Sequence, residues 1–89
     1  MTEEQFRTIA LEYITKVESH VQQKEVSIRR HTTTIGQVLW VMTAVYTEVT
    51  EVVYFLKEKE WEIVFYNPNR IKGVGKTIEE AYEKLVQLI

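Results

Sequence analysis

Gly75-Lys76-Thr77, directly ahead of a helical pattern, has the residue types that close a phosphate-binding loop of the G-x-x-x-x-G-K-S/T form, in which backbone amides and a lysine surround phosphates. The other end of that loop is missing. Its first glycine would stand at position 70, which is Arg70, only 12 residues follow Thr77, and the chain has no Asp for the magnesium side. A glycine-eased turn into a capped helix explains the same residues. Two basic stretches, Arg29-Arg30-His31 and Arg70-x-Lys72 with Lys76, are where a phosphate backbone or another anion could dock, above all if a sheet brings them together. Asn67, Asn69 and the helix amides near Thr77 would add donors there. A solvated turn and a strand end are the alternative.

Other reactive groups are sparse. His20 and His31 have no metal-ligand spacing with each other and no H-E-x-x-H partner. Ser19 and Ser27 are the only serines, and neither lies on a G-x-S-x-G turn. Glu60 and Glu62 share one face of a strand, where paired carboxylates ordinarily keep a strand soluble, and acid–base work would need a cleft that so small a domain rarely has. With no cysteine there is no disulfide, thiolate metal site or cysteine nucleophile. No catalytic residues, metal or cofactor are expected, and a small hydrolase would have to rely on its Glu residues.

Composition narrows the class further. The 89 residues include 45% hydrophobic and 27% charged residues, enough for one soluble domain and one core over residues 1–89. Eleven basic residues against 13 acidic give −2, which is not the charge of a protein held to nucleic acid by bulk electrostatics. All the acids are Glu, which disfavours Asp-based metal-dependent nuclease chemistry. The distribution is uneven: His20–His31 carries +2, from Lys24, Arg29 and Arg30 against Glu25, and Tyr66–Thr77 carries +3, from Arg70, Lys72 and Lys76 with no acid. The acidic start Met1-Thr2-Glu3-Glu4 lacks the positive charge of a signal peptide, and no apolar run is long enough to span a bilayer, so a cytoplasmic protein with no membrane role is expected.

The elements that must carry these groups follow from periodicity. Phe6, Ile9, Ala10, Tyr13, Ile14, Val17 and Val21 fall at helical spacing, predicting a helix from Thr2 to about Lys24 that Thr2 can cap. Val26–Thr34 reads as a strand, followed by a turn at Ile35-Gly36-Gln37. Val38–Tyr46, Val49–Lys57 and Glu60–Tyr66 read as further strands, the last two forming a hairpin across Lys57-Glu58-Lys59. Between Val38 and Leu56 the break at Thr47-Glu48 has no Gly or Pro, so one bent strand is an alternative to two. A helix is also allowed by spacing there, but β-branched and aromatic residues argue for strands. Asn67-Pro68-Asn69 marks a turn, Gly73-Val74-Gly75 adds flexibility, and Thr77-Ile78-Glu79-Glu80 is a capping box for a C-terminal helix. The expected fold is α+β: an N-terminal helix, an antiparallel sheet of three to four strands and a C-terminal helix, in α-β-β-β-α order.

Trp61–Leu85, about a quarter of the chain, is similar to two families in outline. Val64-Phe65-Tyr66-Asn67-Pro68, then Gly73, then Gly75-Lys76-Thr77-Ile78-Glu79-Glu80-Ala81, resembles the strand, turn and G-x-T-x-E-E-A helix start of HicB-type antitoxins. Those proteins share a β-β-β-α core with double-stranded RNA-binding domains, whose α-β-β-β-α order the pattern also resembles. That family places lysines at the start of the last helix, where this chain has Glu79 and Glu80.

Partners are suggested by the strand faces. Val38–Tyr46 and Val52–Leu56 are apolar on both sides, whereas a small antiparallel sheet usually has one solvated face. Either the two helices cover opposite faces, or one face meets a second copy or another protein, with Trp40, Met42, Tyr46 and Tyr54 as interface candidates. The leading functional expectation is a small non-catalytic protein-interaction or regulatory module, self-associating as a homodimer. The alternatives are a nucleic-acid or anion-binding regulator using Arg29, Arg30, His31, Arg70, Lys72 and Lys76, and a small inhibitor protein encoded by a mobile element.

Overall fold

The computed structural model describes residues 1–22, 31–35, 39–45, 49–66 and 70–89, with side chains over 1–20, 50–66 and 70–89. The helix α1 (Glu3–Gln22) is followed by strands β1 (His31–Ile35), β2 (Leu39–Val45), β3 (Val49–Phe55), β4 (Glu60–Phe65) and β5 (Ile71–Gly75), and by the helix α2 (Ile78–Val86). The strands form one antiparallel sheet in the order β1-β2-β3-β4-β5. The α+β class and the helix, antiparallel strands, helix order are as expected.

There are five strands rather than three or four. The additional one is β5, whose two glycines had suggested a flexible connection. Val38–Leu56 divides into β2 and β3, which excludes the helical and single-strand alternatives, and the hairpin falls where Lys57-Glu58-Lys59 placed it. Val26–Arg30, Gly36–Val38, Tyr46–Glu48 and the Asn67-Pro68-Asn69 turn lie outside the described residues.

Both helices start as their sequences dictate. The Gln5 backbone N–H donates to Thr2 Oγ1 at 3.1 Å, and the Thr2 N–H donates to Gln5 Oε1 at 2.8 Å, a complete capping box with Gln5 as the reciprocal partner. At α2 the box is half made. The Glu80 N–H donates to Thr77 Oγ1 at 3.1 Å, but the Glu80 carboxylate accepts from Lys84 Nζ at 3.2 Å instead of reaching back. An i,i+4 ion pair on an exposed helix face competes with the second half of the box at little cost.

The two helices do not take opposite faces of the sheet; they share one. Cross-strand partners stand on the same face, and the rows Tyr54–Trp61–Gly75, Val52–Ile63–Gly73 and Thr50–Phe65–Ile71 all face the helices. Phe6 of α1 stacks on Trp61 at 5.8 Å between ring centroids, and Tyr13 meets Tyr82 of α2 edge to face at 5.6 Å. The core therefore joins Phe6, Ala10, Ile14 and Val17 of α1 with Val52, Ile63 and Phe65 of the sheet and Ile78, Ala81 and Leu85 of α2. A buried polar contact lies in this layer: Thr50 Oγ1 donates to Glu18 Oε1 at 2.5 Å.

Glycine explains how α2 fits. A Cβ on Gly73 would stand 2.0 Å from the Ala81 carbonyl oxygen and 2.7 Å from the Leu85 nitrogen; one on Gly75 would stand 2.8 Å from Glu80 Cβ. Neither glycine has a positive φ. Their role is to let a helix backbone lie directly on a strand, not to supply flexibility or a phosphate loop.

The one non-glycine residue with positive φ among the described residues is Lys59, at 54°, closing the β3–β4 turn where its N–H donates to the Phe55 carbonyl at 2.8 Å. A left-handed conformation strains any residue with a Cβ. Lys59→Gly is expected to raise stability by about 0.5–1 kcal/mol, read from the urea midpoint at unchanged slope.

Burial holds the Tyr13 phenol above its ordinary range; the Lys16 ammonium, 4.5 Å from the ring centroid, opposes this in part, and the Glu79 carboxylate adds to it. The folded state thus keeps its proton to higher pH than the unfolded chain. The resulting stabilisation is full below the unfolded tyrosine pKa of about 10 and is lost as pH rises through the higher folded value. Urea midpoints measured across that alkaline window should fall for the native chain and fall less steeply for Tyr13→Phe.

Candidate interaction surface

The face of the sheet away from the helices is built by the alternate register positions. Its rows are Leu39–Phe55–Glu60, Val41–Val53–Glu62–Val74 and Thr43–Glu51–Val64–Lys72. No described helix lies on it. Val53 and Val64 are buried, while Phe55 and Val74 are half-buried. Apolar positions thus run across the middle of the face, with charged positions toward β5.

Those charges are joined in ion pairs. Glu62 Oε1 lies 3.6 Å from Arg70 and its Oε2 lies 3.9 Å from Lys72 Nζ; Lys76 Nζ donates to Glu60 Oε1 at 3.1 Å. Glu51, the third carboxylate on this face, accepts from the Tyr66 hydroxyl at 3.2 Å. Three cations therefore pair with two carboxylates, Glu62 taking both Arg70 and Lys72 and Glu60 taking Lys76. The +3 of Tyr66–Thr77 is real in sequence, but Glu60 and Glu62 arrive beside it from the neighbouring strand. Glu60 and Glu62 do share a face, as their spacing predicted. They serve there as counter-ions, each exposed pair contributing about 0–1 kcal/mol.

The Lys76 ammonium also donates to the Glu58 carbonyl at 3.4 Å, and the Thr77 hydroxyl caps α2. Neither group of the Gly75-Lys76-Thr77 segment faces a phosphate pocket.

The sheet does not bring His31 to Lys72. His31 opens β1 and Lys72 lies in β5, at opposite edges of the described sheet. Four strand steps separate them, about 19 Å. Arg29 and Arg30 lie outside the described residues.

Of the interface candidates, Tyr54 is on the helix-covered face, 4.7 Å from Trp61 between ring centroids. Trp40 and Met42 pair in register with Tyr54 and Val52, positions of that same face, and Tyr46 lies outside the described residues. On the helix-free face the half-buried Phe55 and Val74 are the apolar side chains within reach of a partner, while Val53 and Val64 are buried beneath it. The only signal for them in the sequence was the alternation of Trp61, Ile63 and Phe65 against Glu60, Glu62 and Val64, which needs the position of the helices before it can be read.

Grooves among the described residues are open and shallow in character, one along the start of α1 between Met1, Gln5 and Ile9, another at the β3–β4 turn between Phe55, Glu58 and Glu60. No group of three or more metal-binding side chains occurs among the described residues, and no described helix is long and apolar enough to cross a membrane.

Over the described residues the architecture is a two-layer α+β domain, two helices on one face of an antiparallel five-stranded meander. Compared with models of known protein families, with curated proteins and with solved structures, the chain matches none.

Proposed function

We propose that the chain is a small non-catalytic protein-interaction module that self-associates through the helix-free face of its sheet. The observation that carries this reading is the placement of both helices on one face, which leaves a mixed apolar and charged second face without a described covering element. A second copy would bury Phe55 and Val74, and the ion pairs would form a polar rim.

Binding of nucleic acid by Arg70, Lys72 and Lys76 is disfavoured because Glu62 and Glu60 pair with all three, leaving one net positive charge where a phosphate backbone needs several. A backbone-binding protein shows affinity that falls steeply between about 50 and 200 mM salt. Anisotropy with labelled DNA and RNA should show no such binding.

The test of self-association is the mass in solution by light scattering. Twice the chain mass of 10.6 kDa is expected at tens of micromolar or above. Val74→Lys should return the monomer mass without loss of fold, because the new ammonium stands opposite Glu62 within the chain but is costly to bury against a partner. A monomer mass for the native chain at about 200 µM, where even interfaces with weak micromolar affinity are populated, overturns the proposal.

A further inference from the structure

The outer edge of β5 differs from the face beside it. Among the described residues β5 is the last strand of the sheet, so one row of its N–H and C=O groups has no strand partner there. The usual protections are missing in part. The strand has no proline, and its pairing with β4 runs without a bulge through Ile71, Lys72, Gly73, Val74 and Gly75. The strand is also held rigidly, since α2 rests on Gly73 and Gly75. What the edge does carry is charge of one sign: Arg70, Lys72 and Lys76 have side chains 53%, 48% and 69% exposed, and no acid stands between Tyr66 and Thr77. Arg70 and Lys72 share the single carboxylate of Glu62, which leaves the local balance positive.

From this juxtaposition we propose that the β5 edge accepts an extended acidic segment of a partner protein as an added strand. A second copy is not the occupant here, because pairing β5 with β5 would set Arg70, Lys72 and Lys76 against their own kind, and like charges across a strand pair are destabilising. An acidic strand meets no such repulsion. The inner neighbour β4 shows the chemistry: it places Glu62 opposite Val74 and within reach of Arg70 and Lys72, and its Glu60 holds Lys76. The register fits carboxylates opposite Lys72 and Lys76 and an apolar residue opposite Val74, an acid-x-apolar-x-acid pattern. Main-chain hydrogen bonds would supply affinity and these side chains the selectivity. This edge borders the sheet face proposed for self-association and shares Lys72 and Val74 with it, but main-chain pairing along β5 does not rest on that reading.

The probe is a fluorescein-labelled Thr-Glu-Thr-Val-Thr-Glu-Thr peptide titrated with the full chain and followed by anisotropy. Saturable binding is expected, weakening from about 50 to about 300 mM salt. The same peptide N-methylated at alternate residues keeps its charge but cannot pair, and should lose at least about tenfold in affinity. Lys72→Gln, on an exposed side chain and checked for fold by circular dichroism, should lose several-fold. No saturation at about 1 mM, equal binding of the N-methylated peptide, or displacement by oligo-dT at equal concentration would each overturn the proposal, the last by making the edge a general polyanion site.

Discussion

Gly73→Ala is expected to remove a large part of the stability of this domain, about 3–4 kcal/mol, because the new methyl must occupy space held by backbone and not by a side chain that can rotate. The Ala81 carbonyl oxygen would lie 2.0 Å from the added carbon and the Leu85 nitrogen 2.7 Å. α2 would have to lift from β5, and Ala81 and Leu85, both fully buried, would lose their contacts with the sheet. For 89 residues a total stability of roughly 5–10 kcal/mol is ordinary, so a third or more of it would be lost. Gly75→Ala should cost less, since two of its three close neighbours, at 2.8 Å, belong to the exposed Glu80 side chain. Urea unfolding followed by circular dichroism reads both. A Gly73→Ala loss below about 1 kcal/mol would show that α2 does not lie on this strand as described.

Phe6→Ala should cost a similar amount, about 3–5 kcal/mol, by a different mechanism. Phe6 is fully buried, and its ring lies nearly parallel to Trp61, at 13°. Removing it deletes a large apolar surface and leaves a cavity between α1 and the sheet that Ala10 and Ile14, pinned on the same helix face, cannot fill. Phe6→Leu should recover most of the loss, separating volume from aromatic contact, which is worth about 0.5–1.5 kcal/mol. The thermal midpoint and the urea midpoint should move together for both variants. If Phe6→Ala changed stability by less than about 1 kcal/mol, α1 would not be part of the cooperative core, and the helix-covered face of the sheet would need another partner.

These two residues mark the boundary between what could be read locally and what could not. Phe6 was legible: its helical spacing with Ile9, Ala10, Tyr13, Ile14 and Val17 identifies a buried stripe before any partner is known, and the structure buries or half-buries each of them. Gly73 was not. Two glycines in Ile71–Gly75 suggest a loosened connection, and only the arrival of α2 on that strand turns the lack of a side chain into a packing requirement. The β3–β4 hairpin was legible from four polar residues between β-branched and aromatic runs, although nothing in Lys59 announced its left-handed backbone.

The candidate surface shows the same division. Composition alone established the lack of cysteine and Asp, the modest negative charge, and two clusters of basic residues. It also established that β2 and β3 are apolar on both sides. Tertiary structure decided which side meets the helices, and so moved Tyr54 into the core layer and left Val53, Phe55, Val64 and Val74 on the other side. It decided, too, that Glu60 and Glu62 pair with Arg70, Lys72 and Lys76, and that His31 and Lys72 stand at opposite edges of the described sheet. The reason is one of range. Periodicity and capping are set by neighbours within a turn or two of chain, whereas coverage of a face and compensation of a charge depend on segments remote in sequence that only folding brings into contact.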